Sequence, residues 1–344
     1  MRAKLSILDL QRWSTAVLVA GGMQHAHGAA AASLIVRSDI RGRATHGVAR
    51  LGSYVEMMNQ GLLNPRPRMS HDERHGAIVF EADGALGHVA APEIIALGIA
   101  ALRTQGNVLV VVREIGHLGS LGIHALAAAE AGAFCLVGQQ APPVMAMPGF
   151  TRAALGNNPI AFACPMPNGD PLVFDMACSE AARGHILLAA RERRAIPEGW
   201  AVDEAGEPTT DPQRALRGAL LPAGGHKGMG IAMMVEVLAA ALGANAASMA
   251  RPRPRAREGG GSSRVGAFFW FVDPGVFGNP ALFDAYMEQW TGFYLASGRE
   301  AGRLPGQRAA ALERAARETG IQLSGATVRE LRVLGENLGV PFPA

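Results

Sequence analysis

The chain has 344 residues, 49% of them hydrophobic, enough to bury one large core or two to three smaller ones. Its formal charge of +3 gives little support to nucleic-acid binding, and three cysteines without C-x-x-C spacing do not make a disulfide framework. Asp9 and Arg12 interrupt what would be the apolar part of a signal peptide, and glycines and histidines break up 16–36, so the expectation is a soluble cytoplasmic protein without a membrane span.

Residues 6–37 read as two Ala-rich helices joined at Gly21–Gly22, and a third is expected from Thr45 to about Gln60, with Val48, Leu51, Val55 and Met58 at helical spacing. "HGAIVFEADGALGH" alternates and carries Asp83–Gly84, a hairpin signal. A helix over 88–105, the strand "NVLVVVRE", a helix near 121–131 and the strands "AFCLVGQ", "PIAFACP" and "PLVFDMA" follow. A helix is expected near 180–194, with Ser179 as its N-cap. Loop dominates "AIPEGWAVDEAGEPTTDPQRA", and "GGHKGMGIAMMVEVLAAALG" is a glycine turn feeding an apolar helix. Residues 251–264 lose all periodicity and read as a loop whose arginines have no interleaved aromatics, which argues against an RNA-binding arm. The strand "VGAFFWFVD" and helices near 280–297, 307–318 and 326–338 close the chain. Strands in the middle and helices at both ends suggest termini that pack together around a central sheet.

Common site signatures are missing. No G-x-G-x-x-G lies between a strand and a helix, so a Rossmann site is not signalled. "GGHKGMG" lacks the Walker A spacing, and there is no H-E-x-x-H or G-x-S-x-G. His25 and His27, two apart on a helix, point to different faces and make poor joint metal ligands. No metal is expected.

What remains is a set of dispersed segments. In "RATHGVARL", His46 and Arg50 are four apart and would share a helix face. A guanidinium beside an imidazole suits a substrate with a carboxylate next to a reducible carbon: arginine holds the carboxylate, and histidine moves the proton on the adjacent oxygen or nitrogen. Thr45 is placed to orient the ring; the bland alternative is a structural histidine. "REIGHLGSLG" puts His117 in a glycine-flanked turn at a strand end, and "LGNNPIAF" puts Asn157 and Asn158 before a strand, there to bind substrate or to brace the loop. "AGGHKGMG" lets backbone approach a ligand at His226–Lys227. Only Lys4 and Lys227 among the 32 basic residues are lysines, which favours a compact point charge on phosphate or ribose at Lys227. The loop with Arg303 and Arg308 suits a diphosphate or 2′-phosphate, or is a plain charged loop.

Taken in order, "SDIRGRATHGVARLGSYVEMMNQGLLNP", "GHLGS", "LGNNPIAFACP", "VFDMACSEAARG", "IPEGWAVDEAGEPTTDP", "LLPAGGHKGMGIAMMVEVLAAALG" and "RLPGQR" closely resemble the malate/L-lactate dehydrogenase family that is unrelated to the Rossmann enzymes. That family includes ureidoglycolate, sulfolactate and diketogulonate oxidoreductases and cyclic-imine reductases acting on Δ1-piperideine-2-carboxylate and pyrroline-2-carboxylate. The resemblance spans roughly residues 1–340 and is weakest across 245–264. It implies an α/β fold: a non-Rossmann nucleotide domain on a largely antiparallel mixed sheet (76–306), and a helical domain from both termini (1–75 with 307–344). It implies NAD or NADP as cofactor, a small 2-oxo or 2-hydroxy acid as substrate, and a homodimer with the active site near the interface. It places proton transfer on His46 with Thr45 beside it, and substrate contacts on Arg50, His117, Asn157, Arg183 and His185. Cofactor contacts fall on Asp175, Met176, Ala177, His226, Lys227, Arg303, Pro305, Gly306 and Arg308.

Three departures from the family pattern bear on substrate. Thr45 stands where serine is usual, and Asn157-Asn158-Pro159 stands for Thr-Asn-Pro. His185 follows "ARG" where the imine reductases carry an aspartate that completes a relay with the histidine. An imidazole cannot supply that carboxylate, so interconversion of a 2-hydroxy and a 2-oxo acid leads. Cyclic-imine reduction and a catalytically inactive ligand-binding relative are the alternatives.

Overall fold

The computed structural model describes residues 4–244, 264–298 and 302–343; the loop expected at 251–264 lies outside them except for Arg264. In chain order the elements are β1 (Lys4–Leu5), α1 (Ile7–Ala20), α2 (His25–Ile40), α3 (Leu51–Asn59), β2 (Ser70–Arg74), β3 (Ala77–Glu81), α4 (Gly87–Gln105) and β4 (Asn107–Ile115). Next come α5 (Leu121–Glu130), β5 (Phe134–Gln139), β6 (Pro143–Met145), β7 (Leu155–Gly156), β8 (Ile160–Cys164) and β9 (Leu172–Met176). α6 (Arg183–Arg191), β10 (Ala201–Val202), α7 (Pro212–Arg217), β11 (Ala219–Leu220) and α8 (His226–Glu236) lead to β12 (Val265–Val272). The last are α9 (Pro280–Ser297), α10 (Gln307–Thr319), β13 (Ile321–Gln322) and α11 (Gly325–Leu338).

A seven-stranded sheet runs in the order β2-β3-β4-β12-β5-β8-β9, and only its β3–β4 pair is parallel. This is a mixed, largely antiparallel sheet, as expected. The middle of β4 and most of β12 are apolar, burying Val108, Val110, Val112, Phe268, Phe269 and Phe271. A smaller sheet, β10-β11-β6-β7, forms a lobe with α6 and α7 around Met145, Ile186, Ala189 and Ala201. The ends meet as the helix–strand–helix order suggests: β1 pairs with β13, and Trp13 donates its indole N–H to the Val340 carbonyl at 3.0 Å. One apolar cluster joins α1, α2 and α3 to α4, α5 and the sheet, so the loop between α2 and α3 is anchored on both sides.

Three expectations need correction. Asp83–Gly84 does form a tight turn with φ of 51° and 73°, but it leads into α4; the hairpin turn is His75–Gly76, between β2 and β3. A positive-φ pair makes a tight turn whatever element follows it. The Asp83 carboxylate meanwhile ties Asn64 and the Arg68 amide to that turn. Ser179 is not an N-cap, because Ala182 holds that position before α6 and the serine hydroxyl donates to the Ala181 carbonyl. The third correction is the helix expected from Thr45, which forms only from Leu51.

Candidate active site

Residues 44–50 form two short 3-10 turns, Ala44–His46 and Val48–Arg50, separated by Gly47 at ψ −149°. The cause is Asp39 near the end of α2, whose carboxylate accepts the Val48 amide at 2.6 Å and presses against Gly47. A Cβ at position 47 would lie 2.1 Å from that carboxylate, so no side chain fits. Burial pushes the Asp39 carboxyl up to about 7. His46 and Arg50 are therefore not neighbours on one helix face, yet two successive turns still bring them to one place.

Thr45 Oγ1 lies 3.0 Å from His46 Nδ1, and the tautomer sets which of the two donates. The His46 ring stacks on His117, with centroids 5.8 Å apart and planes 29° from parallel. His117 Nδ1 is 2.9 Å from the Tyr54 hydroxyl, which also hydrogen-bonds Arg50. His117 rides on the loop after β4, which Gln139 braces by donating to the Gly116 carbonyl and accepting from the Leu118 amide. Burial lowers the His46 pKa, Arg50 and Arg43 lower it further, and Asp175 opposes them. His117 is held well below its ordinary value by burial first and Arg50 next. Both rings are thus biased to neutrality beside a fixed positive charge.

Asp175, on edge strand β9, accepts Ser120 Oγ at 2.7 Å and the Gly122 amide at 3.0 Å at the start of α5. It lines a cavity of about 310 Å³ with Arg41, Arg43, Tyr294, Arg303 and Arg308. Pro305 and Gly306 close one wall, the Pro305 carbonyl accepting the Val173 amide and Gly306 standing at φ 96° against Val173. Glu313 pairs with Arg41, as it does with Arg37 and Arg317, whereas Arg43, Arg303 and Arg308 form no ion pair with another described residue. Three guanidinium groups without an ion pair among the described residues, beside a carboxylate, fit a phosphorylated nucleotide: cations for phosphate, Asp175 for a hydroxyl or amide.

His226 and Lys227 begin α8, exposed, after Gly224 and Gly225 at φ 60° and 65°. Backbone bonds tie their turn to the segment just after β9: the Ala223 amide to the Cys178 carbonyl, and Ser179 bridging Pro222. Met176 and Ala177, half-buried, sit between the Asp175 cavity and this turn.

The remaining predicted residues divide. Asn157 is half-buried and its carbonyl accepts the Cys178 amide, while Asn158 is fully buried and bonds Ala232, Glu236 and the Ala141 amide, so Asn158 braces the loop. Arg183 reaches the Leu216 carbonyl at 3.5 Å. His185 is exposed on α6, its ring tilted 33° from that of Trp200 with centroids 6.0 Å apart. Nothing described brings either of these two into contact with His46. The sequence reading missed Tyr54, Arg41, Arg43, Ser120, Gly122 and Tyr294. Tyr54 carried a signal, falling four residues after Arg50, and Arg43 and Ser120 lie inside motifs already singled out. Tyr294 carried none.

Among the described residues no three His, Cys, Asp or Glu side chains gather to hold a metal, and no helix is long and apolar enough to cross a membrane. Arg50, His46 and His117 converge beside an arginine-lined cleft, an arrangement that suits an oxidoreductase acting on a small acid. Comparison with known proteins agrees. The malate/L-lactate dehydrogenase profile matches residues 5–332, and the chain belongs to that family. It is 36% identical over 340 residues to a Δ1-pyrroline-2-carboxylate reductase of Ancylobacter novellus, covering 96% of this chain and 97% of the relative. It is 33% identical to an NADP(+)-dependent (2R)-3-sulfolactate dehydrogenase of Chromohalobacter salexigens over 96% of this chain and 98% of the other. The Δ1-piperideine-2-carboxylate reductase structure from Pseudomonas syringae superposes with a TM-score of 0.87 at 28% identity, covering 96% of this chain and 99% of that one. The protein is an NAD(P)-dependent oxidoreductase with a non-Rossmann fold.

Proposed function

We propose that this enzyme interconverts a 2-oxo acid and a 2-hydroxy acid, with His46 moving the proton at the C2 oxygen. The observation that carries this reading is the convergence of His46, Arg50 and His117 on one spot next to the cavity that holds Asp175. The nicotinamide, when bound, supplies or takes up the hydride at C2. Arg50 holds the substrate carboxylate by charge-assisted hydrogen bonds. His46 gives its proton to the oxygen at C2 in reduction and takes it back in oxidation, with Thr45 steadying the ring. Arg43, Arg303, Arg308 and Lys227 hold phosphate, and Asp175 holds a polar group of the nucleotide. On this reading residues 1–75 with 307–344 deliver His46 and Arg50 and lend Arg43 and Arg308 to the nucleotide, whose other contacts come from residues 76–306. His46→Ala should lower kcat by about 10² to 10⁴-fold, the usual reach of acid–base catalysis, and leave nucleotide affinity nearly intact. Turnover that survives this substitution assigns the proton to another group.

A second reading, reduction of a cyclic imino acid, is favoured by the similarity to the pyrroline-2-carboxylate reductase. It ranks lower because the residue after "ARG" is His185, exposed beside Trp200 rather than a carboxylate.

The enzyme acts as a cytoplasmic homodimer in this proposal. Support comes from α9, where Leu282, Tyr286, Trp290 and Phe293 form an exposed stripe at helical spacing, Phe293 being 74% exposed. Neighbouring Tyr294 lines the arginine cavity, so a second copy covering this stripe would also shelter the site. Phe293→Asp should halve the mass measured by light scattering.

A further inference from the structure

Tyr54 lies on the first turn of α3, four residues after Arg50, and its side chain is fully buried. Its hydroxyl stands 2.9 Å from His117 Nδ1 and also hydrogen-bonds the Arg50 guanidinium. A guanidinium carries only donors, so toward Arg50 the phenol oxygen accepts. The phenol proton then needs an acceptor of its own, because a buried O–H left unpaired is costly. The nearby His88 ring, 5.9 Å away, has no hydrogen bond at either nitrogen, so the proton does not go there. His117 Nδ1 is the acceptor at hand, which leaves the His117 proton on Nε2. Burial pushes the phenol up to about 12, so it keeps its proton, and His117 stays neutral near pH 7.

We propose that Tyr54 is a positioning residue: it locks His117 as a neutral Nε2–H donor and clamps Arg50 beside it, so that of the two stacked imidazoles only His46 exchanges a proton with substrate. His117 then offers a fixed hydrogen bond to the oxygen or nitrogen at C2, and Arg50 stays aligned for the carboxylate before substrate arrives. The division of labour rests on the proposed function; the tautomer of His117 does not.

Long-range proton–nitrogen correlation spectra of the nitrogen-15-labelled full-length protein read the tautomer directly. His117→Asn assigns the resonance, and Tyr54→Phe removes the hydroxyl while keeping the ring. The wild type should show His117 protonated at Nε2 and bare at Nδ1, and Tyr54→Phe should lose that single form. Tyr54→Phe should also lower kcat by about tenfold or more, within the roughly 10²-fold that misplaced groups cost, with nucleotide affinity unchanged. A wild-type His117 protonated at Nδ1 would overturn the proposal, as would a Tyr54→Phe enzyme with unchanged tautomer or unchanged kcat. If Tyr54→Phe does not fold, the wild-type spectrum alone decides. Absence of turnover with every acid tested would instead sink the proposed function and leave the tautomer result standing.

Discussion

His46 and His185 are both histidines that the sequence places near substrate, and the fold gives them opposite surroundings. His46 sits in a loop wedged by Asp39, stacked on His117 and depressed in pKa by burial and by Arg50. His185 stands exposed on a separate lobe, its ring tilted against that of Trp200. A pre-shaped environment tunes proton transfer, whereas an exposed side chain on a lobe is free to vary with substrate. On the proposed function, proton transfer belongs to the His46 side, and the His185 lobe is where substrate choice would be tuned.

Substitutions can break that comparison in descending order of effect. Arg50→Met should raise KM for the acid by about 10² to 10⁴-fold, since two charge-assisted hydrogen bonds at roughly 1.5–3 kcal/mol each are at stake. It should also move the His46 inflection upward, because a charge that lowers it is removed. An unchanged KM would free Arg50 from the carboxylate role.

The pH profile of the unaltered enzyme comes next. His46 is neutral above a pKa lowered from 6.5, so kcat/KM for oxidation should rise with pH to an inflection below 6.5 and then level off. For reduction the donor is protonated His46, so kcat/KM should fall as pH climbs past that inflection. A bound carboxylate offsets the Arg50 charge, so the inflection in kcat should lie above that in kcat/KM. Inverted slopes would point to a group other than His46.

Arg303→Ser should raise the nucleotide KM two- to five-fold, as expected for an exposed cation, and the effect should shrink in salt. Equal KM values at low ionic strength would remove Arg303 from the cofactor site. The smallest effect belongs to His185→Ala, which should change kcat for 2-oxo acids less than about twofold. A large loss would show that the lobe closes over the proton-transfer site. His185→Asp sharpens the same point, since a carboxylate there should improve turnover of a cyclic imino acid.

The sequence made much of the fold legible through periodicity: α1, α2, α4, α5 and the strands around β4 and β12 fall where apolar spacing puts them. It was weakest where a single long-range contact overrides local pattern. The regular apolar spacing across 45–60 concealed the break at Gly47, because Asp39 imposes it from another helix. Asp83–Gly84 signalled a turn correctly but said nothing of the element that follows. In the site, His46, Arg50 and His117 stood out in motifs, whereas Asp175 was expected only from the family resemblance. Tyr54 offered only its spacing from Arg50, and a buried tyrosine in an apolar helix reads as packing until its hydroxyl is seen on His117. Tyr294 reaches the cavity from a helix far along the chain, and no local spacing encodes that approach.

The most direct test of the account is the rate of NADH and NADPH oxidation by the purified enzyme with a panel of 2-oxo acids, pyruvate and oxaloacetate among them, beside Δ1-pyrroline-2-carboxylate and Δ1-piperideine-2-carboxylate. The account predicts that a 2-oxo acid gives the highest kcat/KM and that His46→Ala abolishes it. A cyclic imino acid turned over more efficiently than every 2-oxo acid would contradict it.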